Sequence, residues 1–174
     1  YEIASQFAVD AFQQICLDAR QNYATSAQAA GALGWTPTNE SVRPELQRIF
    51  AIARTADTPA TPMSQLQAFG RADQTSVFLV LSELTVSGQL VNGCYLYDFA
   101  ATAPVPSGIF VERLGVPATE AITEPSIVIS QKWVRPAALP NVATLRVGYI
   151  PERSELVEAA GFNGVALAVT SMSQ

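Results

Sequence analysis

Residues 77–86, running Val77-Phe78-Leu79-Val80-Leu81 and on to Val86, carry apolar side chains at both odd and even positions until Glu83. Successive side chains of a strand point to opposite faces, so a run that is apolar on both parities predicts a strand buried on both sides near the centre of a sheet. Ser87-Gly88-Gln89 reads as a turn, and the Tyr- and Phe-rich return run from Leu90 to Ala100 completes an antiparallel hairpin that contains Cys94. Three more runs have the same extended character: Ile127 to Val134, Val142 to Ile150, and Val165 to Met172.

Ahead of the hairpin the period is helical. Phe12, Ile15, Cys16 and Ala19 recur at i, i+3, i+4 and i+7 between Ile3 and about Arg20, with Asp10, Gln13, Gln14 and Asp18 off the stripe. This predicts an amphipathic helix with Cys16 facing the core. A second helix is expected from Ser26 as N-cap to Gly34, and a third behind Pro44 with Leu46, Ile49, Phe50 and Ala53 on one stripe. Thr55 to Thr75 reads as a long loop, with a short helix through Gln65 to Phe69 as the alternative. Start and stop signals also mark short helices from Pro106-Ser107 to Leu114 and from Pro151 to Ala160. The expected fold is therefore α+β, a single domain over residues 1–174, with the N-terminal helices packed on a mainly antiparallel sheet of about five strands. Phe12, Ile15, Leu46, Phe50, Leu79, Leu81, Leu96, Val147 and Leu167 are expected to share its core.

The chemistry is restricted by what is missing. The 174 residues include no histidine, which excludes Ser/His/Asp and Cys/His nucleophilic catalysis and every His-containing metal site. Fifteen acidic residues against ten basic ones leave a formal charge of −5, and Lys132 is the one lysine, so no basic run exists to neutralise phosphates or anionic lipid heads. Nucleic acid is not expected as a partner. The apolar runs from Val77 to Leu81 and Gly164 to Val169 fall far short of the roughly 20 residues of a membrane helix, so no membrane insertion is expected. Phosphate-binding glycine loops, nucleophile elbows and calcium loops are absent, and neither a metal nor a cofactor is expected.

The remaining candidates are few. Tyr95, Tyr97 and Phe99 share one face of their strand, and with Trp133 on a neighbouring strand they are candidates to line an apolar groove for a small ligand; the plainer reading is core packing. Glu83 and Asp98 on adjacent strands are candidates for a carboxylate pair doing acid and base work, the plainer reading being strand ends or partners of Arg135 or Arg146. Ser130 and Lys132 share a strand face and would make a nucleophile and base only if the lysine were desolvated. Asn39-Glu40-Ser41 matches a glycosylation sequon.

Cys16 and Cys94 match neither a CxxC redox motif nor a zinc framework. Both fall on elements expected to pack, and a disulfide between them is the expectation, fastening the first helix to the hairpin. The opening at Tyr1, without a charged and then apolar leader, is what signal-peptide removal would leave, and the high alanine content suggests a bacterial source. Phe12-x3-Cys16-Leu17, the alanine-rich stretch ending Gly34-Trp35, and Gly93-Cys94 resemble small exported proteobacterial proteins of uncharacterised function. The resemblance implies export, with periplasmic localisation, and has no activity to transfer. The reading favoured is an exported, non-enzymatic domain that binds a small apolar ligand or a protein; a carboxylate-based hydrolase and a cell-envelope assembly protein are the alternatives.

Overall fold

A computed structural model describes residues 3–19 and 22–173; Tyr1, and Arg20 at the expected end of the first helix, lie outside the described residues. The described residues form one antiparallel sheet of eight strands, not about five. They are β1 (Thr36–Thr38), β2 (Met63–Arg71), β3 (Gln74–Val86), β4 (Gln89–Asp98), β5 (Glu120–Glu124), β6 (Val128–Val134), β7 (Val142–Ile150) and β8 (Gly164–Ser173). Their spatial order is β1-β2-β3-β4-β8-β7-β6-β5, two four-stranded meanders joined along β4 and β8.

The three strands absent from the sequence reading have weak local signals. β2 lies inside the stretch expected to be a loop, and Ser64, Gln65 and Gln67 dilute its apolar residues; its order comes from pairing with β3, from Met63↔Leu84 to Arg71↔Gln74. β1 and β5 are the two edges of the sheet. β1 is three residues long and contains Pro37, which an edge tolerates, whereas β5 is exposed along its whole length and has almost no burial pattern to detect.

The β3–β4 hairpin forms as expected. Ser87 and Gly88 both take positive φ (50° and 79°), the requirement of a two-residue turn whose twist matches its strands. β3 is buried from Val77 to Leu81 on both parities, which puts it beneath cover on two faces.

The first face lies under α1 (Ile3–Phe12), a π-helical turn (Gln13–Leu17), α2 (Tyr23–Ala32) and α4 (Gly108–Leu114). In the π turn Ile15, Cys16 and Leu17 are buried one after another, and the Asp18 N–H donates to the Gln13 carbonyl at 2.7 Å. α2 begins earlier than the expected Ser26. Its cap is Asn22, whose Oδ1 accepts from the Thr25 N–H at 2.9 Å, while Ser26 is buried within the helix and donates to the Ile15 carbonyl. Gly34 ends it with φ 86°, as expected.

α3 (Pro44–Arg54) crosses to the second face. β1 carries the chain along the sheet edge between α2 and α3, so the third helix arrives on the far side. All nine residues expected in one core are buried, but Leu46 and Phe50 belong to a separate cluster with Val80, Phe78 and Phe99. The expectation of one shared core is thereby corrected: the nine residues divide between two clusters. α4 runs to Leu114 with Gly115 at φ 72°, as expected, while the segment before Gly161 is helical only in α5 (Val157–Ala160). No helix among the described residues is long and apolar enough to cross a membrane.

Cys16 and Cys94 form a disulfide with a Cα separation of 5.7 Å across 78 residues of chain. The bond ties the end of the first helical segment to β4, the strand at the junction of the two meanders.

Two outcomes follow from these placements. Phe12→Ala and Phe50→Ala, each emptying a fully packed site on opposite faces, are expected to cost about 3 to 5 kcal/mol apiece. Their effects in the double variant should add to within about 0.5 kcal/mol, since the two sites share no neighbours; denaturant unfolding measures both. Replacing both cysteines by serine should lower stability by about 3 to 5 kcal/mol, because the loop closed in the unfolded chain is long. Reductant should reproduce the loss in the unaltered protein.

Candidate functional site

The second face is covered unevenly. α3 lies over β2, β3 and β4, whereas among the described residues the β8–β7–β6–β5 half carries Leu156, α5 and Phe162, and a groove of about 440 Å³ opens there. The register decides what lines it. Tyr95↔Ala168↔Arg146↔Lys132↔Glu120 form one row across β4, β8, β7, β6 and β5, and Tyr97↔Ala166↔Gly148↔Ser130↔Ile122 form the next. Ile150 and Val128 follow at the end beside Phe162. The floor is therefore Ala166, Ala168 and Gly148, residues too small to fill the space above the strands.

Tyr95 and Tyr97 make one wall. Their rings stack at 6.4 Å, Tyr97 stacks on Phe99 at 5.6 Å, and Phe162 meets Tyr97 edge-on at 5.3 Å. Gly93 makes this wall possible: a Cβ there would come within 2.5 Å of the Tyr95 ring and of the Ser82 hydroxyl, so the ring lies in the space that a side chain would occupy. A smaller hollow of about 200 Å³ continues on the far side of the two tyrosines, below Ile49 and Ile52 of α3.

Of the four aromatic residues expected at a groove, Tyr95 and Tyr97 line it and Phe99 shares their face under the Phe162 ring. Trp133 does not. It pairs with Leu145 on the first face, is 1% exposed, lies near Phe110, and its indole N–H donates to the Val116 carbonyl at 3.0 Å. One residue separates it from Lys132, and in a strand one residue changes the face.

Glu83 and Asp98 lie toward opposite ends of the hairpin, opposite Asn92 and Val77 respectively. Six residues separate those levels on β4, roughly 20 Å at strand rise, so the expected carboxylate pair is not assembled. Glu83 accepts a hydrogen bond from the Ser64 hydroxyl at 2.7 Å. Asp98 is fully buried and accepts from the Ser5 hydroxyl and the Ala100 N–H, tying α1 to the end of β4. Arg146 faces the groove on the other side of the sheet, away from Asp98. Asn39 of the sequon caps the 3-10 turn Glu40–Val42 by accepting from the Ser41 N–H at 2.8 Å.

Ser130 and Lys132 do share the groove face, as expected. The lysine is spoken for, with its Nζ 3.9 Å from Glu120 Oε2, and no hydrogen bond joins it to Ser130 among the described residues. Arg146, by contrast, has no carboxylate partner among the described residues. The sequence reading offered Arg146 only as a partner for Glu83 or Asp98, and it missed Ile122 and the small-residue floor. The signal available was Gly164, Ala166 and Ala168 at every second position of β8, which removes side chains from one face of that strand.

Burial pushes the Tyr97 phenol well above its ordinary range, with neighbouring Tyr95 adding to the rise. Burial thus favours the neutral phenol. No known protein family, curated protein or solved structure matches this chain.

The raised phenol has a consequence for stability. The folded chain keeps the Tyr97 proton where the unfolded chain has begun to lose it, so the stabilisation is complete below about pH 10 and falls as pH rises further. Tyr23, raised by burial and then by Glu83, acts in the same direction. Denaturant midpoints measured between about pH 9 and pH 11 should therefore fall more steeply for the unaltered protein than for Tyr97→Phe, with Tyr23 leaving the variant a residual slope.

Proposed function

We propose that this chain is an exported, periplasmic binding domain that holds a small, largely apolar ligand in the groove beside Tyr95 and Tyr97. The observation that carries the reading is the half-covered second face: mostly apolar residues line a hollow of about 440 Å³ that α3 does not reach and the single turn of α5 only borders. Small-molecule sites commonly occupy about 300 to 1,000 Å³ and combine an apolar lining with a few polar groups, as here. The Cys16–Cys94 disulfide supports export, because such bonds are rare where thiols are kept reduced. The resemblance to small exported proteobacterial proteins supports the periplasm.

Envelope assembly through the sheet edge has less support. β5 is an exposed edge, but it carries Glu120 and Glu124, and edge charges oppose the addition of another strand.

The test fills the groove without disturbing the fold. A Cβ on Gly148 meets nothing nearer than the Ala166 carbonyl at 3.8 Å, so Gly148→Leu projects into open space. Phenylnaphthylamine, an uncharged fluorescent probe, should brighten on titration with the unaltered protein and not with Gly148→Leu, while thermal unfolding of the two stays alike. Equal brightening with both proteins, or with neither, overturns the reading.

A further inference from the structure

We infer that the groove is built for an amphiphilic carboxylate, its apolar tail over Gly148, Ile150 and Val128 and its head group at Arg146; this rests on the groove being a ligand site. The lining is chemically graded along the strands. The row at one end holds Arg146, Lys132 and Glu120, the middle row holds Gly148, Ser130 and Ile122, and the far end holds Ile150, Val128 and Phe162, with Glu124 opposite Val128 on the exposed edge strand outside the lining. From Arg146 to Ile150 is four residues of strand, roughly 13 Å, the reach of a medium-length acyl chain.

Charge decides which head group fits. Two cations stand against one carboxylate at that end, and Glu120 is already engaged by Lys132 at 3.9 Å. The surplus positive charge is the Arg146 guanidinium, whose planar fork pairs with a carboxylate through two parallel N–H donors. A cationic amphiphile would meet Arg146 at close range. An uncharged one would leave the guanidinium with water alone. The net charge of −5 opposes an anion at long range, but at 0.1 M salt that field is screened beyond about 10 Å, so the exposed Arg146 acts on a carboxylate in direct contact with it. Tyr97 is 9% exposed, lines the groove, and donates its hydroxyl to no acceptor among the described residues, which leaves it free for the ligand.

The experiment compares decanoate, decanol and decyltrimethylammonium by calorimetric titration, with displacement of phenylnaphthylamine as a second readout. At 0.1 M salt decanoate should bind about three-fold more tightly than decanol, the worth of a charge pair at an exposed arginine, and the cation most weakly. Arg146→Gln should bring decanoate to the level of decanol and leave decanol unchanged. Glu120→Gln should act in the opposite sense, tightening decanoate several-fold by releasing Lys132. Decanol binding as well as decanoate, or a decanoate-to-decanol ratio that Arg146→Gln does not move, overturns the carboxylate assignment while probe binding upholds the groove. If none of the three displaces the probe and the probe itself does not bind, the groove reading fails and takes this inference with it.

Discussion

The ladder between β4 and β8 is the contact on which the rest of the architecture depends. It runs from Leu90↔Ser173 to Asp98↔Val165 and joins two meanders that otherwise share no strand pairing. Its start needs a glycine. Gly164 has φ 116°, and a Cβ there would lie 2.2 Å from the Asp98 carbonyl oxygen, so only a residue without a side chain lets β8 begin so close to the end of β4. The register set there places Cys94, Leu96 and Asp98 on the first face together with Val169, Leu167 and Val165. It places Tyr95 and Tyr97 on the second face beside Ala168 and Ala166.

A shift of one residue in that ladder would exchange the contents of the two faces. The first face would lose the disulfide to Cys16 and the leucines that α1 covers. The second would lose the contrast between large aromatic side chains on β4 and small ones on β8, from which the groove arises. Stability and the candidate site thus depend on the same strand pairing. Asp98 reinforces it from within, because its buried carboxylate collects the Ser5 hydroxyl and the Ala100 N–H at the point where the two meanders meet α1.

The two faces differ in how completely their apolar surface is hidden. On the first, four helical segments cover the central strands and bury Phe12, Ile15, Phe110 and Trp133 to 1% exposure or less. On the second, α3 is a single helix set to one side and α5 is one turn long. What is left uncovered is bounded by Tyr rings on one side and by Arg146 and Lys132 on the other, so the open half is graded in polarity and is not a plain apolar patch.

Much of this was legible along the chain wherever local periodicity and burial agree. The hairpin turn, the limits of β7, α3 behind Pro44, the glycine stop signals and the pairing of Cys16 with Cys94 all follow from residue types whose preferences the tertiary structure respects. The edge strands β1 and β5 and the Gln-rich β2 were not legible, because their order comes from hydrogen bonds to neighbours distant in sequence and not from their own side chains. Sequence by itself determined that Tyr95 and Tyr97 share a face and that Ser130 and Lys132 share a face, since side chains alternate along any strand. Only the tertiary structure decided that these two faces are the same one, that Trp133 and Leu46 lie on opposite sides of the sheet, and that Arg146 stands beside Lys132 at one end of the groove. Which parity of one strand aligns with which parity of the next is set by inter-strand register, a long-range quantity that no local pattern encodes.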